Sequence, residues 1–187
     1  MPNMRLRQLG YALATVVIVL SVAALLTYKY AGNYLFSSVP DAVVMELALA
    51  ESPELLEGLP HHSMERRLFE PELAKHNTID LLGYKFYDDV RKMPLDVRDE
   101  LATRLIKPGS LRAFGGEKTC GGFHPDYAVR WSAGGQEFLI LFCFGCHEIK
   151  TVGKTGEKRY DMGTSTELLA LLKPYRKHRP DSLLLRD

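Results

Sequence analysis

Two stretches of the chain carry the strongest hydrophobic patterns, and they predict different structures. Residues 9–28 contain no charged side chain over twenty positions, and an α-helix of about 20 residues spans the roughly 30 Å interior of a bilayer. Residues 126–132 alternate apolar and polar positions, and after Gly134-Gly135 the chain continues as the mostly apolar run 137–144. Such runs joined by a tight turn predict an antiparallel β-hairpin. The patterns therefore predict a membrane anchor and a β-containing domain.

The predicted turn at Gly134-Gly135 also determines the pairing of the two hairpin strands. The pairs expected to face each other are Trp131 with Phe138, Val129 with Ile140, and Tyr127 with Phe142. Register decides which side chains meet, because a shift of one residue moves every side chain to the other face of a sheet. Continued further, this register brings a cluster of cysteines and histidines to one end of the hairpin: Cys120, His124, Cys143, Cys146 and His147.

Weaker patterns on both sides of the hairpin predict the remaining elements. Capping and breaker signals predict helices over 42–56, 64–76, 94–106 and 165–173. Strands are expected over 84–90 and 160–162, and 148–152 is expected to continue the returning strand past the cysteines. The predicted fold class is α+β: an N-terminal transmembrane helix plus a small antiparallel β-sheet, with its central hairpin at about 125–144, packed with two to three helices.

The placement of charges predicts the topology of the chain. Arg5 and Arg7 precede the anchor, whereas the first charges beyond Lys29 are acidic, and the positive-inside bias places the basic end in the cytoplasm. The predicted segments are a cytoplasmic N-terminus over 1–8, a transmembrane anchor over 9–28, a helical juxtamembrane connector over 29–77, an extracytoplasmic α+β domain over 78–175, and a solvated basic tail over 176–187. The expected localisation is a single-pass membrane protein whose C-terminal domain faces the periplasm of a bacterial envelope.

The overall charge narrows the function classes. The chain has 24 basic and 23 acidic residues and a formal net charge of +1, and a nucleic-acid-binding domain usually carries a basic surplus. No Ser-His-Asp arrangement, phosphate-binding glycine loop or HExxH motif occurs. His61 and His62 lie in a proline-flanked loop and are expected to be exposed. The composition therefore favours non-catalytic binding or scaffolding, with the membrane and an envelope protein as partners and no nucleic acid.

The cysteines and histidines leave several interpretations open. Residues 143–147, Cys-Phe-Gly-Cys-His, match the c-type haem attachment pattern, which predicts a redox protein. Cys120, Cys143 and Cys146 with His124 or His147 have the donor types of a zinc site, which predicts a metal-stabilised interaction module. The CxxC spacing alone is also typical of a cycling dithiol, although no βαβ pattern surrounds it.

The favoured interpretation is a structural one without a cofactor. In a regular strand Cys143 and Cys146 would lie about 10 Å apart along the chain and point to opposite faces. An extended backbone therefore does not direct both thiols at one target. A disulfide from Cys120 to Cys143 or to Cys146 would leave the remaining cysteine buried as a small apolar side chain.

Four features occur together between Leu82 and about Leu172. They are a strand entry at Leu82-Gly83-Tyr84, a helix over 94–106, the lone Cys120 before a proline-containing strand at 124–130, and an apolar return strand that ends in Cys-Phe-Gly-Cys at 143–146. This half of the chain resembles a family of uncharacterised bacterial exported proteins, often membrane-anchored or lipoprotein-like. The resemblance implies the α+β fold, a structural role for the cysteines and an incidental His147. It implies no substrate.

Overall fold

The computed structural model describes residues 20–22, 41–119 and 121–179. The chain divides into two compact units, 1–38 and 39–187. In the first unit only 20–22 are described, and they are helical. All sheets and cores described below belong to the second unit.

A seven-stranded antiparallel sheet forms the centre of the second unit. The strands in chain order are β1 (Glu54–Glu57), β2 (Thr78–Leu81), β3 (Tyr84–Tyr87), β4 (Arg91–Lys92), β5 (Leu111–Ala113), β6 (Tyr127–Ala133), β7 (Gln136–Cys143), β8 (Glu148–Gly153) and β9 (Gly156–Met162). The large sheet has the order β4-β1-β6-β7-β8-β9-β5, and β2 and β3 form a separate hairpin. Both edge strands of the large sheet are very short, which limits the unpaired backbone offered to other chains.

Four helices accompany the sheet in the described part of this unit. They are α1 (Ala42–Leu49), α2 (Arg66–Lys75), α3 (Leu95–Ile106) and α4 (Ser165–Leu172), and a short 3-10 helix, Lys173–Tyr175, follows α4. Asp41 caps α1, because its side chain accepts a hydrogen bond from Val43 N at 2.8 Å. The main core lies where α1, α3 and α4 pack against one sheet face, and a smaller core contains Leu81 and Phe86 of the separate hairpin.

The predicted central hairpin is confirmed together with its register. Trp131 pairs with Phe138, Val129 with Ile140, and Tyr127 with Phe142. Gly134 and Gly135 form the turn with φ of 59° and 77°, a left-handed conformation that glycine adopts without the usual steric penalty. The predicted helices over 64–76, 94–106 and 165–173 correspond to α2, α3 and α4.

The predicted fold class requires correction, because the protein is mostly antiparallel sheet with few helices. The predicted helix over 42–56 ends at Leu49, and the chain continues after Pro53 as β1, which pairs with β6. Leu55 and Leu56 are buried in the two different cores, as expected of a central strand covered on both faces. The segment 148–152 is not a continuation of the returning strand but part of a separate strand, β8, antiparallel to β7.

The membrane predictions also require correction. Among the described residues, no helix has the length and apolar character needed to cross a bilayer. The predicted cytoplasmic segment 1–8 and the predicted anchor 9–28 lie outside the described residues, apart from 20–22. The finding stands against the transmembrane helix and against the single-pass, periplasm-facing placement that depended on it.

Candidate functional site

A small cavity lies at the end of the central hairpin where β7 ends. It is lined by His61, His124, Asp126, Cys143, Gly145, Cys146 and Arg179, and its volume is about 20 Å³. We call it the histidine chamber. A cavity of about 10–15 Å³ can hold one water molecule, so the chamber has room for a water molecule rather than for an organic ligand.

The cysteine segment turns at the wall of this chamber, and its predicted extended backbone is wrong beyond Cys143. Residues 144–147 form a turn in which Cys146 N donates to Cys143 Sγ at 3.3 Å. His147 has a positive φ of 53°, and its Nδ1 lies 2.9 Å from Ser165 Oγ in α4. Cys143 and Cys146 line the chamber, whereas His147 does not. This arrangement does not fit a porphyrin held by both thiols and by His147.

The described cysteines differ in chemical state. Cys143 is a free, buried thiol, and burial raises its pKa to about 12. A thiol with a raised pKa stays protonated near neutral pH and is a weak nucleophile. Cys146 is disulfide-bonded. A pairing of Cys120 with Cys143 is therefore wrong, and because Cys120 lies outside the described residues, its pairing with Cys146 stays a prediction.

His61 is only 3% exposed, which corrects the expectation for this residue, whereas His62 is exposed as expected. Its Nδ1 accepts hydrogen bonds from Ser63 N and Met64 N at 3.1 and 3.2 Å, so the imidazole organises the turn before α2. Its ring centroid lies 4.9 Å from that of His62 and 4.8 Å from that of His124. The imidazoles of His61 and His124, from two distant segments, therefore meet at the chamber, and the exposed His62 stacks on His61.

Two of these imidazoles are held in the neutral form. Burial lowers the pKa of His61, and the neighbouring His62 lowers it further. Burial also lowers the pKa of His124, to about 2, with Arg179 as the next largest cause. A neutral, buried imidazole with a lowered pKa is a poor base near neutral pH.

Arg179 supplies the positive charge of the chamber. The sequence places it in a tail expected to be solvated, but its side chain is 2% exposed. Its Nη2 donates to Glu65 Oε2 at 2.9 Å, and its Nη1 donates to Asp126 Oδ1. Asp126 also accepts from Phe144 N at 2.6 Å, so the guanidinium ties the C-terminal segment both to the cysteine turn and to α2.

A single carboxylate holds the backbone next to Arg179. Glu57, the last residue of β1, accepts hydrogen bonds from Lys177 N at 2.9 Å, His178 N at 3.0 Å and Arg179 N at 2.7 Å. Three successive backbone N–H groups directed at one anion resemble the concave anion-binding geometry called a nest. We call residues 177–179 the C-terminal strap, since they bring Arg179 to the wall of the histidine chamber.

The chamber does not form a metal-binding set with the residues that the structure describes. No group of three or more histidine, cysteine, aspartate or glutamate side chains in that part of the chain is arranged to hold a metal ion. The guanidinium of Arg179, which lowers the pKa of both His61 and His124, would also repel a metal cation there. The predicted zinc site included Cys120, which lies outside the described residues, and it stays a prediction.

A second, larger cavity lies at the opposite end of the central hairpin. Its volume is about 560 Å³, and it is lined by Leu49, Ala50, Glu51, Ser52, Glu54, Arg130, Trp131, Ser132, Ala133 and Gly134. We call it the hairpin cleft, because it lies between the α1–β1 loop and the turn end of the β6–β7 hairpin. Arg98 Nη1 donates to Ala50 O at 2.5 Å and so connects this loop to α3.

The walls of the hairpin cleft combine apolar surface with charge. Trp131 is stacked on Phe138, with ring centroids 5.5 Å apart. Arg130 donates from Nη2 and Nε to Glu54 Oε2 at 2.6 and 2.9 Å, whereas Glu51 is exposed. Sequence reasoning missed this cleft. Its local signals were only Pro53, which ends the helical pattern, and a lone tryptophan beside a glycine turn.

Comparisons of this chain with protein-family models, with curated proteins and with solved structures found no match. The resemblance based on the segment from Leu82 to Leu172 therefore stays a prediction.

Proposed function

We propose that this protein is a non-catalytic binding domain and that the hairpin cleft is its ligand-binding site. The observation that carries the proposal is the volume of the cleft, about 560 Å³. Pockets that bind small molecules have volumes of about 300–1,000 Å³. The histidine chamber, at about 20 Å³, is too small for such a ligand.

The charges of the cleft favour a ligand with a positively charged amine. Glu51 and Glu54 supply two carboxylates, and Arg130 supplies one guanidinium that is already bonded to Glu54. The exposed carboxylate of Glu51 is therefore the charge available to a bound ligand. Trp131 and Leu49 supply apolar wall beside it, which suits an amine attached to a short hydrocarbon.

The chemistry of the chamber supports binding rather than catalysis as the role of the domain. The thiol of Cys143 has a pKa raised to about 12, and the imidazole of His124 has a pKa lowered to about 2. Catalytic nucleophiles and bases work best with pKa values near the operating pH. The pKa values of both side chains are instead shifted away from neutral pH.

Tryptophan fluorescence tests the proposal, because Trp131 is the single tryptophan of the chain and lines the cleft. The full chain is titrated with cadaverine and with tyramine, and with glutarate as an anion of matched length. We expect saturable changes in emission with the amines and not with glutarate. Equal responses to cadaverine and glutarate, or no response to any of these probes, would refute an amine-binding cleft.

A pair of matched variants locates the binding. Glu51→Gln removes the exposed carboxylate of the cleft, and we expect it to weaken amine binding about two- to fivefold, the scale of one exposed charge pair. Glu167→Gln, an exposed glutamate in α4, is the control and should leave the affinity unchanged. Equal effects of the two substitutions would show that the amine responds to overall charge rather than to the cleft.

A further inference from the structure

The strand β6 has an unpaired backbone edge beside the hairpin cleft. On one side, β7 pairs with all seven residues of β6. On the other side, β1 pairs only with residues 127–130, and its first pair joins Glu54 to Arg130. No strand in the described part of the chain therefore covers residues 131–133 on the β1 side, and these residues line the cleft.

The pairing pattern shows which backbone groups of β6 point toward the cleft. Ala133 and Gln136 flank the two-residue turn, so they exchange hydrogen bonds with each other. Successive residues of a strand direct their N–H and C=O groups to opposite sides, and those of Ser132 therefore point away from β7. The same alternation is seen just before β6, where Asp126 O accepts from Gly58 N at 2.8 Å. Ser132 is exposed, and its backbone N–H and C=O have no partner among the described residues.

The α1–β1 loop leaves this edge open instead of covering it. If β1 continued backward in the same register, Ser52 would lie opposite Ser132, but Ser52 is exposed and lies in a bend. The next residue, Pro53, accepts a hydrogen bond from Met93 N at 2.8 Å, on the side of β1 that faces β4. The loop is therefore tied to the far side of β1, and the space beside Ser132 is part of the hairpin cleft.

A free strand edge that lines a cleft suits an extended peptide, because the main chain of the peptide can pair with the free N–H and C=O groups. Side chains directly opposite each other point to the same sheet face. The neighbours of a peptide residue opposite Ser132 would therefore point to the face of Trp131, on which α1 packs. Leu49 and the exposed Glu51 lie at the end of α1 and in the loop after it. Apolar wall and a carboxylate together suit a lysine side chain.

We propose that the hairpin cleft binds a lysine-containing segment of a partner protein as an added β-strand, antiparallel to β6 and in line with β1. This inference rests on the amine-binding function proposed above and adds main-chain pairing to it. Ser132 exchanges two backbone hydrogen bonds with one residue of the segment. The lysine next to that residue lies along Trp131 and Leu49, and its ammonium pairs with the carboxylate of Glu51.

Two N-methylated peptides test the main-chain pairing. The parent probe is acetyl-Ala-Lys-Val-Lys-Ala-amide, whose lysines both point to the Trp131 face when the valine lies opposite Ser132. Methylation of the valine nitrogen removes the N–H group that bonds to Ser132, and we expect it to weaken binding to the full chain about tenfold, measured by the fluorescence of Trp131. Methylation of the second lysine nitrogen, which points away from β6, is the control and should leave the affinity nearly unchanged. Equal effects of the two methyl groups would overturn the proposal.

A pair of substitutions at Ser132 tests the same bonds from the side of the protein. Ser132→Pro removes the N–H group that points to the cleft but none of the bonds between β6 and β7, and proline is tolerated where a strand edge is free. We expect it to weaken the parent peptide about tenfold and to leave the affinity for cadaverine, which has no main chain, unchanged. Ser132→Ala keeps both backbone groups and should bind the peptide like the unsubstituted chain. Equal peptide affinities of all three proteins would contradict the added strand.

Hydrogen exchange in the unsubstituted chain covers the case in which Ser132→Pro fails to fold. The amide of Ser132 is followed by NMR in the free protein, with saturating peptide and with saturating cadaverine. We expect its exchange to slow with the peptide and not with cadaverine, because only the peptide offers a carbonyl group to this N–H. Exchange that is equally fast in all three samples would refute the pairing.

The outcomes separate this inference from the proposed function. Binding of cadaverine, together with a Ser132 amide that the peptide does not protect, would support the amine site and overturn the added strand. Protection by the peptide without binding of cadaverine would support the added strand and refute a separate amine site. Self-association of the full chain that protects the same amide in the absence of peptide would assign this edge to a second copy of the chain and overturn the proposal.

Discussion

Each end of the β6–β7 hairpin has an arginine that is paired with carboxylates, but the two arginines differ in burial. At the end that borders the histidine chamber, Arg179, with 2% of its side chain exposed, is held by Asp126 and Glu65. At the turn end, beside the hairpin cleft, Arg130, with 24% of its side chain exposed, is held by Glu54. Burial decides the difference, because a buried ion pair that loses one partner leaves an uncompensated charge, whereas water replaces the partner of an exposed one. The ion pairs at the chamber end are therefore expected to matter most for stability, whereas the turn end contains the proposed binding site.

The largest expected effect comes from breaking the arginine at each end in turn. Arg179→Ala leaves Asp126 and Glu65 buried without their cation and should lower the free energy of unfolding by about 3–5 kcal/mol. Arg130→Ala should lower it by at most about 1 kcal/mol. Urea unfolding of both variants measures the difference, and similar losses at the two ends would contradict the contrast drawn between them.

The next effect concerns the carboxylate that holds the C-terminal strap. Glu57→Gln keeps the size of the side chain but removes the charge that accepts three backbone N–H bonds. We expect a loss of about 1.5–3 kcal/mol, the scale of hydrogen bonds to a charged group, and faster hydrogen exchange at residues 177–179. Exchange at these amides that stays as slow as in the unsubstituted protein would show that Glu57 does not hold the strap.

The loss of stability in acid should also arise mainly at the end of the hairpin that borders the histidine chamber. The pKa of His124 is lowered to about 2 in the folded protein, so its contribution to stability is complete above the unfolded pKa and is lost as the pH falls below about 6.5. Between about pH 7 and about pH 5 the loss for this histidine amounts to about 2 kcal/mol. His124→Phe should flatten this part of the stability profile. A profile with the same slope after the substitution would assign the acid sensitivity to other groups.

The smallest effect on stability is expected at the cleft. Glu51 is exposed, and substitutions at such surface positions usually change the free energy of unfolding by less than about 0.5 kcal/mol. Glu51→Gln should therefore leave the urea midpoint nearly unchanged while it weakens amine binding. A clear loss of stability would show that Glu51 supports the fold rather than a ligand.

Local patterns predicted the hairpin and three of the helices correctly, whereas non-local contacts account for most of what was missed. The register of β6 and β7 follows from alternation and the glycine turn, which are properties of neighbouring residues. The strand β1 was predicted as the end of a helix, because Leu55 and Leu56 fit either structure until the pairing of β1 with β6 decides between them. The basic tail was expected to be solvated, since nothing next to Arg179 in the sequence indicates its partners.

The sequence by itself determined the turn at Gly134-Gly135, the pairing around it and the position of Cys143 and Cys146 at one end of the hairpin. Only the tertiary structure determined which charged groups surround the histidine chamber. Arg179 lies 53 positions from Asp126, 114 from Glu65 and 122 from Glu57. Periodicity describes which face a residue occupies within its own element, but burial, and with it the charge of an imidazole or the reactivity of a thiol, depends on what the rest of the chain brings to that face.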